Sequence, residues 1–306
     1  MTASSLLREY DSNRELIAND ILEVHDEGSW YVKWQSLISN DLTPMQVALK
    51  GGLYASAPPW IFVSGYQAAI RNVFPELPKD GWAAFAASED RQDPQANPPM
   101  RVVKTNESII LQGTKSWVAQ SRHVDYLVIT ALTQADENVS VMVNRHREGI
   151  TLTHRKSAEF LPAMSQGFAR IHSIDIANKD ILSEARRKEF VKSESKFVML
   201  SCSASMYAKT AETLKITATP ADNSFTEAMS DLKEKLRILV IDLARACENS
   251  ALPITELAIL DKNLQTLFVI YEKSIEAVPQ EDWQNDRKIF SLYSDGIQKW
   301  AAKNRV

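Results

Sequence analysis

"LQGTKSWVAQSRHVDYLVIT", residues 111–130, decides how this chain is read. From Tyr126 the stretch is apolar and β-branched enough to be a strand that has entered a core. Just before it, Trp117 stands in a short polar strand. An indole is costly to leave in water. It either caps a core or covers something flat.

Working outward, the surrounding segments are short and β-rich. They are WAAFAAS (82–88), RVVKT (101–105), SIILQ (108–112), KSWV (115–118), YLVITAL (126–132), VSVMV (139–143), ITLTH (150–154) and FARIHSIDI (168–176). Turn signals at Thr105-Asn106-Glu107, Gln112-Gly113-Thr114, Asp136-Glu137-Asn138 and Glu148-Gly149 separate them. This pattern predicts an antiparallel barrel or sandwich over residues 81–179.

Beyond it the punctuation changes. Eight of the nine glycines lie at or before Gly167, and only Gly296 follows. Pro220, Pro253 and Pro279 divide residues 180–306 into four stretches of helical length. Apolar stripes at three- and four-residue spacing run through Phe197, Leu200, Ala204, Tyr207, Ala211 and Leu214, and through Leu232, Leu236, Leu239, Leu243 and Cys247. Two more run through Leu257, Leu260, Leu264, Leu267 and Tyr271, and through Phe290, Tyr293, Ile297 and Trp300. Four such helices predict a four-helix bundle. Residues 1–80 form a shortened helical domain: LLREYDSNRELIANDILEV would bury Leu6, Leu7, Leu16, Ile17 and Ile21, and WYVKWQSLIS and PPWIFVSGYQAAIRNVF are two further helices.

At 306 residues, 44% hydrophobic and 24% charged, the composition is that of a globular protein with a real core. A net charge of −4 argues against nucleic acid as a partner. The early charges in MTASSLLREYDSNRE argue against a signal peptide, and no apolar run approaches a membrane span, so a cytoplasmic chain is expected. Cys202 and Cys247 imply neither a disulfide framework nor a metal site. His123, His146, His154 and His172 lack ligand spacing, so no metal is expected. Arg145, Arg147, Arg155 and Lys156 read either as a solvated strand face, the reading preferred, or as contacts to cofactor phosphates.

The order helical, β, helical bundle resembles the acyl-CoA dehydrogenase family, as do the local residues. Ser88-Glu89, then Leu111-x-Gly113-x-Lys115-x-Trp117, then Val124-Asp125 before YLVITAL are similar to that family's middle-domain signature. The resemblance implies an α+β fold of that type: an N-terminal helical domain, a middle antiparallel β-barrel or sandwich and a C-terminal four-helix bundle. It implies FAD as cofactor, with Trp117 flanking the flavin and Phe85, Ala87, Ser88 and Ala119 along the ring. It implies an FAD-dependent oxidoreductase acting on the CH–CH group of an acyl-CoA or carrier-bound acyl substrate, in a homo-oligomer or in a hetero-oligomer whose partner supplies missing FAD contacts.

The chain departs from that pattern in four places. Ala119 stands where a Thr or Ser hydroxyl would meet the flavin. The run Ser88-Glu89-Asp90-Arg91-Gln92-Asp93-Pro94 lacks the Gly-Ser-Asp that usually follows. The bundle connection ITATPADNSF lacks an Arg and a Phe-Gly. In the last segment Ser294 aligns with the catalytic glutamate, leaving Asp295 as the nearest carboxylate; the family's other base position falls near Ser195, beside Glu194. The candidate base is therefore Asp295, with Glu194 as the alternative. Two other readings remain beside the dehydrogenase: a degenerate paralogue acting as a subunit or binding protein, and a flavin monooxygenase on the same fold.

Overall fold

The computed structural model describes all residues except 22–23, 25, 56, 91, 157–160, 183–185, 217–222, 250, 275–280 and 305–306. Within helices the side chains at 14–21, 215–216, 223, 281–287 and 289 also lie outside the description. The chain divides into two compact units, one of Met1–His25, Ser36–Ala69 and Lys192–Val306, the other of Asp26–Gln35 and Ile70–Val191.

The first unit is helical. It contains α1 (Ala3–Ile21), the end of α2 (Glu27–Leu37), α3 (Pro44–Tyr54), most of α4 (Pro58–Val73) and of α5 (Arg187–Ile216), then α6 (Asn223–Glu248), α7 (Ile254–Ser274) and α8 (Glu281–Lys303). Leu232, Leu236, Leu239, Leu243 and Cys247 are all buried along α6, and Leu257, Leu264, Leu267 and Tyr271 along α7. Each such leucine contributes roughly 1.5–3 kcal/mol by leaving water. Leu6 and Leu7 are buried as expected, whereas Leu16, Ile17 and Ile21 lie outside the described side chains.

Helix α3 was not expected. Its Gly51-Gly52 pair weighs against a helix, but Thr43 and Gln46 form a capping box and Pro44 opens the first turn. The glycines serve packing: a Cβ at Gly52 would lie 2.4 Å from the Ser201 carbonyl oxygen. In the bundle, Asp261 of α7 is 1% exposed, and its carboxylate accepts from Ser294 Oγ at 2.7 Å and Gln298 Nε2 at 2.6 Å, both on α8.

The second unit is built on an eight-stranded sheet. Its strands are β1 (Ala83–Ala86), β2 (Arg101–Lys104), β3 (Ile109–Ala119), β4 (Tyr126–Leu132), β5 (Asn138–Asn144), β6 (Ile150–His154), β7 (Gln166–Asp175) and β8 (Ile181–Leu182). They run in the order β6-β7-β3-β2-β4-β5-β8, with β1 beside β4. The sheet is mixed rather than antiparallel throughout, because β1 and β2 both run parallel to β4. The long connection between β1 and β2 lets the chain return before β2 begins, which a tight turn would not.

A second correction concerns Gln112-Gly113-Thr114. The strand does not turn there; β3 runs through it, with register shifts against β7 between Leu111 and Gly113 and between Lys115 and Val118. At the first shift the extra residue falls on β7, where Ser173 has φ 53° and its hydroxyl meets Gln112 Oε1 at 2.7 Å. Gly113 itself has φ +133°, and a Cβ there would sit 2.5 Å from the Pro99 carbonyl oxygen. At the second shift the extra residue is on β3, between Lys115 and Val118. Trp117 therefore sits in a β-bulge, a device that re-aims a side chain out of the regular alternation.

Candidate functional site

The bulge gives Trp117 its place. The ring is half-buried, and its Nε1–H donates to Gln166 Oε1 at 3.1 Å, so the indole is held by its polar edge. Gln166 is a contact that the sequence reading missed, and nothing in its local sequence marks it.

Beneath Trp117 the strand is anchored by charge. Lys115 is 2% exposed, and its Nζ donates to Glu89 Oε1 at 2.7 Å and to Thr130 Oγ1 at 3.0 Å. The same Glu89 oxygen accepts from the Met100 N–H at 3.1 Å. The Lys and the Glu of the two sequence motifs are therefore one ion pair, buried at its lysine end, that locks β3 to the segment after β1. The Ser116 N–H donates to the Ser88 carbonyl at 2.8 Å and continues that lock.

The other ring-edge candidates lie in the same unit. Ser88 is exposed, Ala87 half-buried and Ala119 fully buried. Phe85 is buried in an aromatic stack, 5.6 Å from the Phe74 centroid and 4.5 Å from that of Phe190, so it backs the strand from within the core. Beside β3 opens a cavity of about 420 Å³ whose lining includes Asp90, Thr114, Ser116, Phe168, Arg170 and His172.

The four basic residues singled out in the sequence separate. The Arg145 guanidinium donates to the carbonyls of Ser121, Arg122 and Val124 at 3.2, 2.7 and 3.3 Å, so it ties down the β3–β4 turn. Arg147 donates to the Asp175 carbonyl and lies 3.9 Å from Asp180. Arg155 stacks over Phe168 at 4.6 Å and donates to the Ser116 carbonyl at 3.0 Å, while Lys156 is exposed.

The candidate bases lie in the helical unit. Asp295 is exposed on α8, and its neighbour Ser294 is committed to Asp261. Glu194, in the second turn of α5, is partly open to solvent at its surface yet densely surrounded by protein. That burial pushes its carboxyl up to about 7, against a hydrogen bond from Tyr293 that favours the ionised form. Tyr293 is in turn pushed well above its usual value by burial and by the Glu194 charge. The structure thus brings Glu194 together with Tyr293, and leaves Asp295 in solvent. The sequence held a signal for this pair: Tyr293 lies in the segment resembling the family's last motif, and Glu194 beside its other base position.

No family model matches the chain, and no curated protein matches it. Solved structures do. Butyryl-CoA dehydrogenase from Megasphaera elsdenii aligns over 96% of this chain and 94% of its own, with 9% identity and a TM-score of 0.65. The prolyl acyl carrier protein oxidase AnaB aligns over 96% and 95%, with 14% identity and a TM-score of 0.66. An FAD complex of PigA aligns over 98% and 94%, with 14% identity and a TM-score of 0.59. The chain therefore has the acyl-CoA dehydrogenase-like fold.

Proposed function

We propose that the chain is an FAD-dependent oxidoreductase acting on the CH–CH group of an acyl thioester, carried by coenzyme A or by a carrier protein. The observation that carries this reading is the Glu194–Tyr293 pair, a carboxyl held near neutrality in the first bundle helix of this fold. A base poised near the working pH can both accept and release a proton.

The β unit offers groups that a flat-ringed cofactor with a phosphorylated tail would use. Trp117 offers a half-buried indole fixed by its edge, and the cavity beside β3 carries Thr114, Arg170 and His172. Trp117, Ala87 and Ser88 would hold the ring, with the buried Phe85 and Ala119 supporting the strands from behind. FAD, when bound, supplies the hydride acceptor. Glu194 takes the proton from the carbon α to the thioester and becomes the neutral acid. Tyr293 orients that carboxylate by donating to it. The similarity to a carrier-protein oxidase and to a CoA dehydrogenase supports both carriers equally.

The test is the visible absorption spectrum after incubation with FAD and desalting, for the wild type and Trp117→Ala, followed by turnover with acyl-CoA and acyl-carrier substrates and an artificial electron acceptor. A flavin band that Trp117→Ala weakens, with turnover that Glu194→Gln lowers by about 100-fold or more, is expected. No retained flavin would favour the degenerate subunit. Retained flavin with oxygen-dependent product and no α-proton exchange would favour the monooxygenase.

A further inference from the structure

On the β unit, a second concavity of about 240 Å³ is lined by Arg122, His123, Arg155 and Lys156, together with Gly28 and Ser165. The chain is acidic overall, at −4, so a local concentration of cations here runs against its average. Among the described residues, Arg122, Arg155 and Lys156 form no ion pair. Burial pushes the nearby His154 down, and the charges of Arg122 and Arg145 push it further, against an opposing effect of Glu27.

Two carboxylates also lie here, and both are already committed. Asp26 Oδ1 accepts the Ser29 N–H at 2.8 Å and its hydroxyl at 3.0 Å. Glu27 is 5% exposed; its Oε1 accepts from His123 Nδ1 at 2.8 Å and from Ser165 Oγ at 2.7 Å, and its Oε2 from the Ser165 N–H. An ionised carboxylate only accepts, so the His123 Nδ1 is the donor and the imidazole is fixed in orientation. Its Nε2 then faces Gly28, where an added Cβ would lie 3.3 Å away. A buried glutamate aims a histidine into a pocket that also holds Arg122, Arg155 and Lys156, which form no ion pair among the described residues and outnumber the one exposed carboxylate there, Asp26. Those donors, spread around a concavity, suit a compact dianion with several acceptor oxygens better than a single carboxylate.

We propose that this pocket binds a phosphate monoester. That chemistry belongs to the 3′-phosphate of the coenzyme A nucleotide and to free 4′-phosphopantetheine, whereas the phosphate of a carrier-bound arm is a phosphodiester with a single charge. It does not depend on the flavin reading, since every residue named belongs to the protein alone.

The experiment is calorimetric titration of the full chain at low ionic strength with inorganic phosphate, 4′-phosphopantetheine and adenosine 3′,5′-bisphosphate. Saturable binding is expected, weakened at least about tenfold in the Arg122→Glu/Lys156→Glu double variant, whose exposed positions preserve the fold. Gly28→Ala, which suits a helix but presses a methyl on Nε2, is expected to weaken binding as well. Tighter binding of the bisphosphate assigns the site to the coenzyme A nucleotide, and tighter binding of the pantetheine compound assigns it to free phosphopantetheine. Absence of saturable binding, or an unchanged affinity in the double variant, overturns the site. Loss of phosphate binding on addition of FAD would give the pocket to the flavin diphosphate and also overturn it. A failure to retain FAD sinks the flavin reading and leaves the phosphate result standing.

Discussion

Replacing Tyr293 by Phe removes a single hydroxyl from the Glu194 carboxyl and nothing else of comparable size. Burial raises that carboxyl to about 7, and the tyrosine hydrogen bond opposes the rise by stabilising the ionised form. A hydrogen bond to a charged group is worth roughly 1.5–3 kcal/mol, and Glu194 keeps some access to water, so the lower end applies. At 1.36 kcal/mol per pH unit this is a shift of about one unit. Tyr293→Phe should therefore raise the Glu194 pKa from about 7 to about 8. The assay is a ¹³C titration of protein labelled at the glutamate δ-carbon, with Glu194→Gln identifying the resonance. A catalytic consequence follows in the proposed reaction: the acid limb of kcat/KM moves up by the same amount, with little loss at high pH. A Glu194 pKa that stays put or falls in a folded Tyr293→Phe protein would refute the argument, because it would mean that the tyrosine does not donate to the carboxylate.

Two further outcomes are expected. Because the folded Glu194 pKa lies above the 4.5 of an ordinary carboxyl, the folded state binds the extra proton and stability falls as pH rises from about 4.5 to 7. The loss is at most on the order of 3 kcal/mol, and urea melts of Glu194→Gln should lack that slope and show a more stable protein at pH 8. Within the β unit, Glu89→Gln leaves the 2%-exposed Lys115 without its counter-ion, whereas Lys115→Met leaves a Glu89 that is 20% exposed and can reach water. Denaturant midpoints should place Glu89→Gln about 3 kcal/mol below wild type and Lys115→Met well above it; the reverse order would mean that the pair is not the anchor of β3.

How far the sequence could be read depended on what kind of physics set each feature. The bundle was legible because its stripes are local: Leu232, Leu236, Leu239 and Leu243 announce a buried face by spacing alone, and all four are buried. Helix α3 was hidden because Gly51 and Gly52 oppose helix by local propensity. What overrides them is a non-local approach to the Ser201 backbone, which no spacing rule reveals. Gly113 misled in a related way. A glycine between two polar residues reads as a turn, yet here it lets a continuous strand pass the Pro99 carbonyl. For the site, Glu194 was visible as the alternative base and Tyr293 as part of the last helical stripe, not as a site residue; the bond between them joins residues on α5 and α8, and only the fold supplies it.

Two other tryptophans of the β unit bear on Trp117. Trp34 and Trp82 are at most 1% exposed, and neither indole Nε1 makes a hydrogen bond among the described residues. There the protein accepts the cost of an unbonded indole N–H, on the order of 1–3 kcal/mol, in exchange for burying the whole ring. Trp117 shows the opposite choice. Its N–H is bonded to Gln166, its ring remains half-buried, and a bulge with an ion pair beneath it fixes where it points. A ring kept only to cap the core would gain by sinking further, as Trp34 and Trp82 have. A ring held by its polar edge and left partly uncovered is arranged for an apolar surface laid against it, which is the role that the flavin reading gives it.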